Sequence, residues 1–248
     1  MLFLVGTGVS SRDISVAAIE ACGKSELYIE RYTSLVSRQR IEYLNKLLGK
    51  EITELSREDL EEGARGTVAK AAAKDIAILV GGDPLAATTH KILMIEARKQ
   101  GIEAKVIHAS SVVQSAIGES GLDFYRFGQV CTIPRWTDRY KPVSFYETIE
   151  RNIAANLHSL VLLDYYPERE GTLPVRDAIT ELFEAEAKYR KGIIADTTTI
   201  LLMYDVGTDE QKAILTNIGA AKGANEGRMA IIIIPARLSG VEEEALHK

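Results

Sequence analysis

The sequence has little cysteine and no long apolar run. Cys22 and Cys131 are the only cysteines among 248 residues. Both lie in apolar segments, which favours small buried side chains over a disulfide framework. The N-terminal apolar residues are not preceded by basic ones, and no stretch approaches the length of a membrane span. We therefore expect a cytoplasmic protein that is neither exported nor embedded in a membrane.

The sequence also lacks an excess of basic residues. Its 30 Lys and Arg residues stand against 35 Asp and Glu residues, which gives a formal net charge of −5 at pH 7. A broad surface for a nucleic-acid backbone requires the opposite balance. We predict no nucleic-acid partner.

Several common catalytic patterns are missing. The chain contains no Gly-x-Ser-x-Gly elbow, no phosphate-binding P-loop and no His-Glu-x-x-His segment, so no nucleophile is visible and the commonest hydrolase and phosphotransfer mechanisms are disfavoured. We also predict no metal site, because the four histidines share no close spacing and no cysteine lies near them.

What the first half does contain is an alternation of apolar runs and amphipathic segments. The runs 2–5, 76–80 and 104–107 predict strands, and the first two end in glycines. This alternation predicts a parallel sheet covered on both faces. The remaining predictions for this half are a strand at 27–30 and helices at 14–21, 41–48, 60–73 and 89–100.

The second half is also predicted to be α/β, with strands that pair in mixed directions. A small, polar segment at 109–115 marks the seam, so we predict two α/β domains, residues 1–110 and 111–248. The predicted elements of the second domain are strands at 129–133, 160–163, 199–203 and 230–234, and helices at 145–157 and 175–189.

Glycine-rich turns follow two of the predicted strands. Gly6-Thr7-Gly8 lacks the third glycine of the dinucleotide fingerprint, which disfavours a nicotinamide or flavin site. Gly81-Gly82-Asp83-Pro84 combines permissive backbone, a carboxylate and a proline that fixes the turn, and it indicates a small-molecule site. Asp83 has two interpretations: it binds ligand hydroxyl or ammonium groups, or it accepts hydrogen bonds from backbone amides at a helix N-terminus.

A loop at 134–142 contains the only tryptophan together with three cationic residues. Arg135, Trp136 and Lys141 are hypothesised to dock a macromolecular substrate, because aromatic and arginine residues dominate binding hot spots. The alternative is that Trp136 packs against the core.

Taken in order, these motifs resemble those of the diphthine synthases, methyltransferases within the wider tetrapyrrole-methylase-like superfamily. The Gly-Asp-Pro turn by itself indicates only the superfamily, whereas Tyr-Thr-Ser, Thr-Thr-His and Ser-Phe-Tyr are typical of diphthine synthases. The resemblance extends nearly end to end. Its segments include Leu4-Val5-Gly6-Thr7-Gly8-Val9, Tyr32-Thr33-Ser34, Gly82-Asp83-Pro84-Leu85-Ala86-Ala87-Thr88-Thr89-His90, Val106-Ile107-His108-Ala109, Ser144-Phe145-Tyr146 and Leu157-His158-Ser159-Leu160.

The resemblance implies two α/β domains of the tetrapyrrole methylase type, with S-adenosyl-L-methionine in a cleft between them and S-adenosyl-L-homocysteine as product. It implies methylation of the amino group of a modified histidine, 3-amino-3-carboxypropyl-histidine, on translation elongation factor 2, which gives diphthine in diphthamide biosynthesis. It also implies a homodimer. Most of the family's cofactor positions are apolar here and are expected to contribute backbone hydrogen bonds and shape. They fall on Val9, Asp83, Ala86, Ser111, Val112, Leu163, Val206 and Ala230, the last where a histidine is expected.

Methyl transfer to an amine is a direct displacement that needs no nucleophilic side chain. We therefore assign no catalytic residue, and Asp83, Asp164 and His90 are the groups to test as a base. Two alternatives stay open. One is a methyltransferase acting on a carbon of a precorrin or uroporphyrinogen ring, and the other is a cofactor-binding scaffold that transfers nothing.

Overall fold

The computed structural model describes residues 1–10, 12–34, 36–166, 171–224 and 228–246. The chain divides into two compact units, Met1–Val112 and Val113–Lys248. The boundary predicted between residues 110 and 111 falls two residues before this division.

The described residues of the first unit form five strands and five helices, and a sixth helix begins at its last residue and continues into the second unit. The strands are β1 (Leu2–Gly6), β2 (Glu26–Glu30), β3 (Ile52–Leu55), β4 (Ile76–Val80) and β5 (Ala104–Ile107). The helices are α1 (Val16–Lys24), α2 (Arg38–Leu48), α3 (Arg57–Leu60), α4 (Ala64–Ala69), α5 (Lys91–Lys99) and α6 (Val112–Glu119), with a 3₁₀ turn over Lys70–Ala72. The sheet order is β3-β2-β4-β1-β5, and all neighbouring strands are parallel.

Both faces of this sheet are buried. Leu2 and Leu4 of β1 belong to one hydrophobic cluster, whereas Phe3 and Val5 of the same strand belong to another. Successive side chains of a strand point to opposite faces, so a continuous apolar run needs cover on both sides. The predicted parallel sheet with two covered faces is confirmed.

The predicted helix at 60–73 is wrong as a single element. Ser56 and Asp59 form a capping box at the start of α3, but that helix ends at Leu60. The chain then turns tightly, because Gly63 donates its N–H to the Glu58 carbonyl at 2.7 Å. A Cβ at Gly63 would lie 3.1 Å from that oxygen. The apolar spacing was helical on both sides of the turn, so periodicity did not reveal the break.

The described residues of the second unit form seven strands and, after α6, a 3₁₀ turn over Phe124–Arg126 and four further helices. The strands are β6 (Cys131–Ile133), β7 (Ser159–Leu163), β8 (Tyr165–Tyr166), β9 (Gly171–Thr172), β10 (Thr199–Tyr204), β11 (Lys212–Asn217) and β12 (Ala230–Ile234). The helices are α7 (Ser144–Ala154), α8 (Val175–Tyr189), α9 (Ile218–Ala221) and α10 (Gly240–Leu246). The main sheet has the order β11-β10-β12-β7-β6. Only β6 and β7 pair in parallel, so the predicted mixed directions are confirmed.

A buried carboxylate fixes the C-terminal helix α10. Glu242 accepts hydrogen bonds from His158 Nε2 at 2.9 Å, from the backbone N–H of Asp123 at 3.0 Å and from that of Ser239 at 2.8 Å, and it is ion-paired with Arg126. Burial raises the pKa of Glu242, but the hydrogen bonds outweigh burial and lower it to about 2.

No helix in the described ranges is long and apolar enough to cross a bilayer.

Candidate functional site

Three segments leave the first sheet at the carboxyl edge of adjacent strands. They follow β1, β4 and β5 and comprise residues 7–10, 81–86 and 108–112. Gly8 and Gly82 join the first two segments, since each donates its N–H to the other's carbonyl, at 3.2 and 2.8 Å. Both take positive φ angles, 76° and 75°, a conformation that glycine adopts without a steric penalty.

Gly6, the last residue of β1, allows the other two segments to close over the strand end. A Cβ at this position would lie 2.8 Å from the Gly82 carbonyl oxygen, 2.8 Å from Ala109 Cβ and 2.9 Å from Pro84 Cδ. A larger residue would force these segments apart. The glycine therefore brings the Asp83 turn and the end of β5 together.

Asp83 ties these two segments with a nearly buried carboxylate. Its Oδ1 accepts the N–H of Leu85 at 2.9 Å. Its Oδ2 accepts from His108 Nδ1 at 2.8 Å and from the N–H of Ala109 at 3.2 Å. These contacts are those of a carboxylate that satisfies backbone amides, while the predicted contact with a ligand stays a prediction.

His108 is the functional candidate that sequence reasoning missed. The imidazole is paired with Asp83 on one side, yet 68% of the side chain is exposed. The available signal was its position, because it directly follows a strand that ends at the same edge as the Asp83 turn. Sequence alone did not reveal that β4 and β5 lie on either side of β1.

The loop after β1 is held from one side by Asp13 and Ser110. Asp13 Oδ2 accepts the backbone N–H groups of Val9 and Ser10 at 3.1 and 3.0 Å, and the Ser110 hydroxyl at 2.8 Å. Val9 N–H also lies 3.1 Å from Ser110 Oγ. Burial raises the pKa of Asp13, but the hydrogen bonds to Ser10, Ser110 and Val9 lower it by more.

Arg40 of α2 holds the same loop from the carbonyl side. Its guanidinium donates to the carbonyl oxygens of Thr7 at 2.8 Å, Gly8 at 2.6 Å and Val9 at 3.1 Å. Burial lowers the pKa of Arg40, and nearby Asp13 opposes that shift. Because the N–H and C=O of Val9 are both engaged within the protein, a ligand would meet mainly the Val9 side chain.

His90, one of the groups proposed for testing as a base, lies behind the Asp83 turn. The side chain is 1% exposed. Nδ1 lies 3.3 Å from the Pro84 carbonyl oxygen, and Nε2 lies 3.4 Å from Tyr32 Oη and 3.8 Å from Glu30 Oε1. Burial lowers the pKa of His90, while the Glu30 charge opposes this. Because an external substrate cannot reach either ring nitrogen, this geometry suits support of the turn.

The five predicted cofactor positions of the first unit lie on the three edge segments described above. Val9 is in the first, Asp83 and Ala86 are in the second, and Ser111 and Val112 end the third. Asp83 and Ser111 are buried, and the other three are half-buried. The structure therefore brings these five residues to one edge of one sheet.

The three predicted positions of the second unit also meet at one sheet edge. Leu163 is the last residue of β7 and Ala230 is the first of β12, which pairs antiparallel with β7. Ala230 also pairs with Tyr204, the last residue of β10, and Val206 follows two positions later. The two sets of positions belong to different units, and a ligand common to both stays a prediction.

Two carboxylates hold the loop 134–142 at the ends of β6 and β7. Asp164, which follows β7, accepts the N–H of Arg135 at 3.3 Å. Glu181 of α8 accepts the N–H of Trp136 at 3.0 Å. Both acidic residues thus fix the start of the loop through its backbone.

The Trp136 side chain packs against neighbouring residues and does not form an exposed docking surface. Its Nε1 donates to the Pro142 carbonyl at 2.9 Å, its ring lies 6.2 Å from that of Phe145, and the Lys141 ammonium lies 5.1 Å from its centroid. Lys141 also pairs with Glu184 at 3.0 Å. The core-packing interpretation of Trp136 is favoured, and the exposed residues of the loop are those at 137–141.

Among the described residues, no three His, Cys, Asp or Glu side chains are grouped so that they could hold a metal ion. The two sheet edges instead offer apolar side chains, glycine backbone and single polar groups. These are features of a site for an organic ligand.

The chain matches the family of Tetrapyrrole (Corrin/Porphyrin) Methylases over residues 1–222. This match defines the class of the protein as a methylase of that fold. More specific similarities come from individual proteins that match nearly the whole chain.

The diphthine synthase of Methanothermobacter thermautotrophicus is 34% identical over 251 residues, which cover 99% of this chain and 94% of that protein. The diphthine methyl ester synthase of Emericella nidulans is 32% identical, with 100% and 93% covered. A solved diphthine synthase structure aligns with a TM-score of 0.87 at 29% identity, over 100% of this chain and 95% of that one. This chain is therefore a methyltransferase that belongs to the diphthine synthase family.

Proposed function

We propose that the chain methylates the amino group of 3-amino-3-carboxypropyl-histidine on translation elongation factor 2 and thereby forms diphthine in diphthamide biosynthesis. The methyl donor of this proposal is S-adenosyl-L-methionine. The observation that carries it is the segment Gly82–His90, typical of diphthine synthases, which here forms the turn that closes the carboxyl edge of the first sheet. Similarity to diphthine synthases along the whole chain supports the same substrate.

The residues at this edge fit the proposed donor. Among the described atoms, a Cβ at Gly82 would meet only the Ser110 carbonyl oxygen, at 3.9 Å, so the glycine leaves room beside its backbone. Val9, Ala86 and Val112 are half-buried and present apolar surface for a heteroaromatic ring. Asp83 Oδ1 accepts one hydrogen bond within the protein, and a carboxylate oxygen can accept a second from a ribose hydroxyl.

The residues of the chain mainly align the reactants and exclude water. When bound, the donor supplies a methyl group on a positively charged sulfur that is also the leaving group. The loop after β1 is restrained, because Arg40 holds its carbonyls and Asp13 holds its N–H groups. Such rigid positioning is how a displacement of this kind is accelerated.

The decisive experiment offers a labelled methyl donor together with one of three acceptors. Elongation factor 2 carrying the modified histidine should become labelled, whereas factor with the unmodified histidine should not. Label on a porphyrinogen instead would support the alternative tetrapyrrole methylase, and donor binding without any transfer would support a scaffold. Mass spectrometry of the labelled factor counts the methyl groups and separates amine from ester products.

Two further parts of the proposal rest on the resemblance. One is a homodimer, for which light scattering of the purified protein should give twice the mass of the chain. The other is a cytoplasmic location, which fractionation of the source cells tests.

A further inference from the structure

His108 is held by a carboxylate at the proposed donor site and is nevertheless open to an incoming substrate. We propose that His108 is the general base that accepts the proton of the acceptor amine, and that Asp83 is the positioning residue that orients its ring. This inference rests on the function proposed above, and it assigns a role that neither residue had from the sequence.

The position of His108 follows from the topology of the first sheet. β5 and β4 lie on either side of β1, so His108 and the Asp83 turn leave the same edge. Gly6 lets the two segments approach, because any Cβ there would collide with both of them. The resulting distance from His108 Nδ1 to Asp83 Oδ2 is 2.8 Å.

This contact defines the tautomer of the ring. An ionised carboxylate only accepts hydrogen bonds, so the proton of neutral His108 lies on Nδ1 and the lone pair lies on Nε2. Asp83 is the charged group that contacts the ring. Leu85 and Ala109 donate backbone N–H groups to the same carboxylate and keep it in place. With 68% of the side chain exposed, Nε2 can meet a substrate that arrives on another protein.

The reaction needs such a group. An α-amino group has an ordinary pKa near 8 and is mainly protonated at neutral pH, and a protonated amine has no lone pair to donate. In the proposed step the N–H bond of the ammonium breaks and the proton binds to His108 Nε2. The freed lone pair then forms the N–C bond as the methyl–sulfur bond breaks, and the electrons of that bond stay on sulfur. His108 afterwards releases the proton to water.

The other candidates for this role are less accessible. His90 is buried behind the turn, with both ring nitrogens facing protein atoms. Asp164 is half-buried, and its carboxylate accepts the backbone N–H groups of Arg135 and Tyr165. His108 combines an orienting partner with an open face, the arrangement that general bases use.

The matched variants are His108→Asn and Lys105→Asn. Asparagine places its amide near the position of Nδ1, so it can still donate to Asp83 but cannot act as a base. We expect kcat at pH 7 to fall by about 10²- to 10⁴-fold, with donor affinity by calorimetry changed less than about threefold. Lys105 is an exposed residue of the same strand, and its variant should retain full activity.

The dependence of the defect on pH distinguishes a base from a structural residue. Above pH 8 the amine loses its proton without help, so the ratio of wild-type to H108N activity should shrink toward pH 9, and added imidazole should restore part of the activity at pH 7. A constant ratio with no rescue would overturn the assignment. Equal kcat values and equal pH profiles for the two proteins would overturn it as well.

A second readout needs no turnover. Long-range ¹H–¹⁵N correlation spectra of the protein without donor should show the neutral His108 ring with its proton on Nδ1. Asp83→Asn should remove that preference, because an amide can also donate. A proton on Nε2 in the wild-type protein would refute the inference even if H108N does not fold. If wild-type protein labels no elongation factor 2, the proposed function fails, whereas labelling by wild-type and H108N alike refutes only the role of His108.

Discussion

The substitution Glu181→Gln is expected to stabilise the protein at alkaline pH. Glu181 is 7% exposed in α8, and its Oε1 accepts the N–H of Trp136. Its Oε2 has no hydrogen-bond partner among the described residues. Burial raises the pKa of Glu181 to about 7 against the effect of the Trp136 N–H, and the Asp177 and Glu184 charges act in the same direction as burial.

The magnitude follows from the difference between the folded and unfolded pKa values. The pKa of Glu181 rises from 4.5 to about 7, so the folded state disfavours its ionised form. This cost is nearly absent below pH 4.5, grows as pH rises between the two values, and reaches about 3 kcal/mol at pH 8. Glutamine removes the cost but leaves an unpaired N–H, worth about 1–2 kcal/mol. The variant should be more stable than wild type by about 1–2 kcal/mol at pH 8 and less stable at pH 5.

Urea unfolding of both proteins at pH 5, 6, 7 and 8 tests this reasoning. Trp136 is the only tryptophan of the chain and contacts Glu181 directly, so its fluorescence reports on the local structure while circular dichroism reports on the whole. Glu147→Gln on α7 is the matched control, because Glu147 is exposed and is not one of the charges that shift the Glu181 pKa. A difference between wild type and E181Q that stays the same from pH 5 to pH 8 would show that the carboxylate is not destabilised by burial.

The other predictions concern contacts that hold the candidate site and the C-terminal helix. Glu242→Gln should cost about 3 kcal/mol at pH 7, because the folded pKa near 2 lies below the ordinary 4.5. That contribution is complete above pH 4.5 and is lost as pH falls through about 2. The melting temperatures of variant and wild type should therefore converge in acid. A difference in melting temperature that does not change with pH would contradict the link between the Glu242 pKa and stability. Arg40→Met removes the guanidinium that donates to three carbonyls, and it should weaken binding of the methyl donor by about tenfold or more in calorimetry. Arg38→Met, at an exposed position of the same helix, should leave that affinity unchanged. If Arg40→Met and wild type bind the methyl donor equally well, Arg40 does not hold the loop for binding. Gly6→Ala should lower the free energy of unfolding by about 2 kcal/mol or more, because its Cβ would collide with both neighbouring segments. Gly23→Ala in α1 is the control, since a Cβ there meets no described atom within 4 Å. It should be neutral or stabilising in the same melts.

Elements with a complete local pattern could be predicted from the sequence. The strands 76–80, 104–107 and 230–234 and the helix 175–189 have the predicted bounds, because each run is apolar or amphipathic throughout and stops at a clear break. Strands β3 and β11 were not predicted. β3 buries only its two end residues and β11 buries none, so neither strand has the buried run that marks the strands of the sheet centre.

The sequence likewise predicted one part of the candidate site and not the other. The turn at 81–84 could be predicted from sequence, because glycine, aspartate and proline constrain their own backbone. The partners of this turn and of the loop after β1 could not be predicted, since Asp83 meets His108 25 positions away and Arg40 donates to the Thr7 carbonyl 33 positions away.

By itself, then, the sequence determined those strands, helices and glycine turns whose pattern is complete along the chain, since their formation depends on neighbouring residues. The tertiary structure alone decided the strand order, and with it which polar groups meet. Placing β1 between β4 and β5 turns an aspartate and a distant histidine into an oriented pair. Such pairing depends on side chains brought together by packing, which no local pattern encodes.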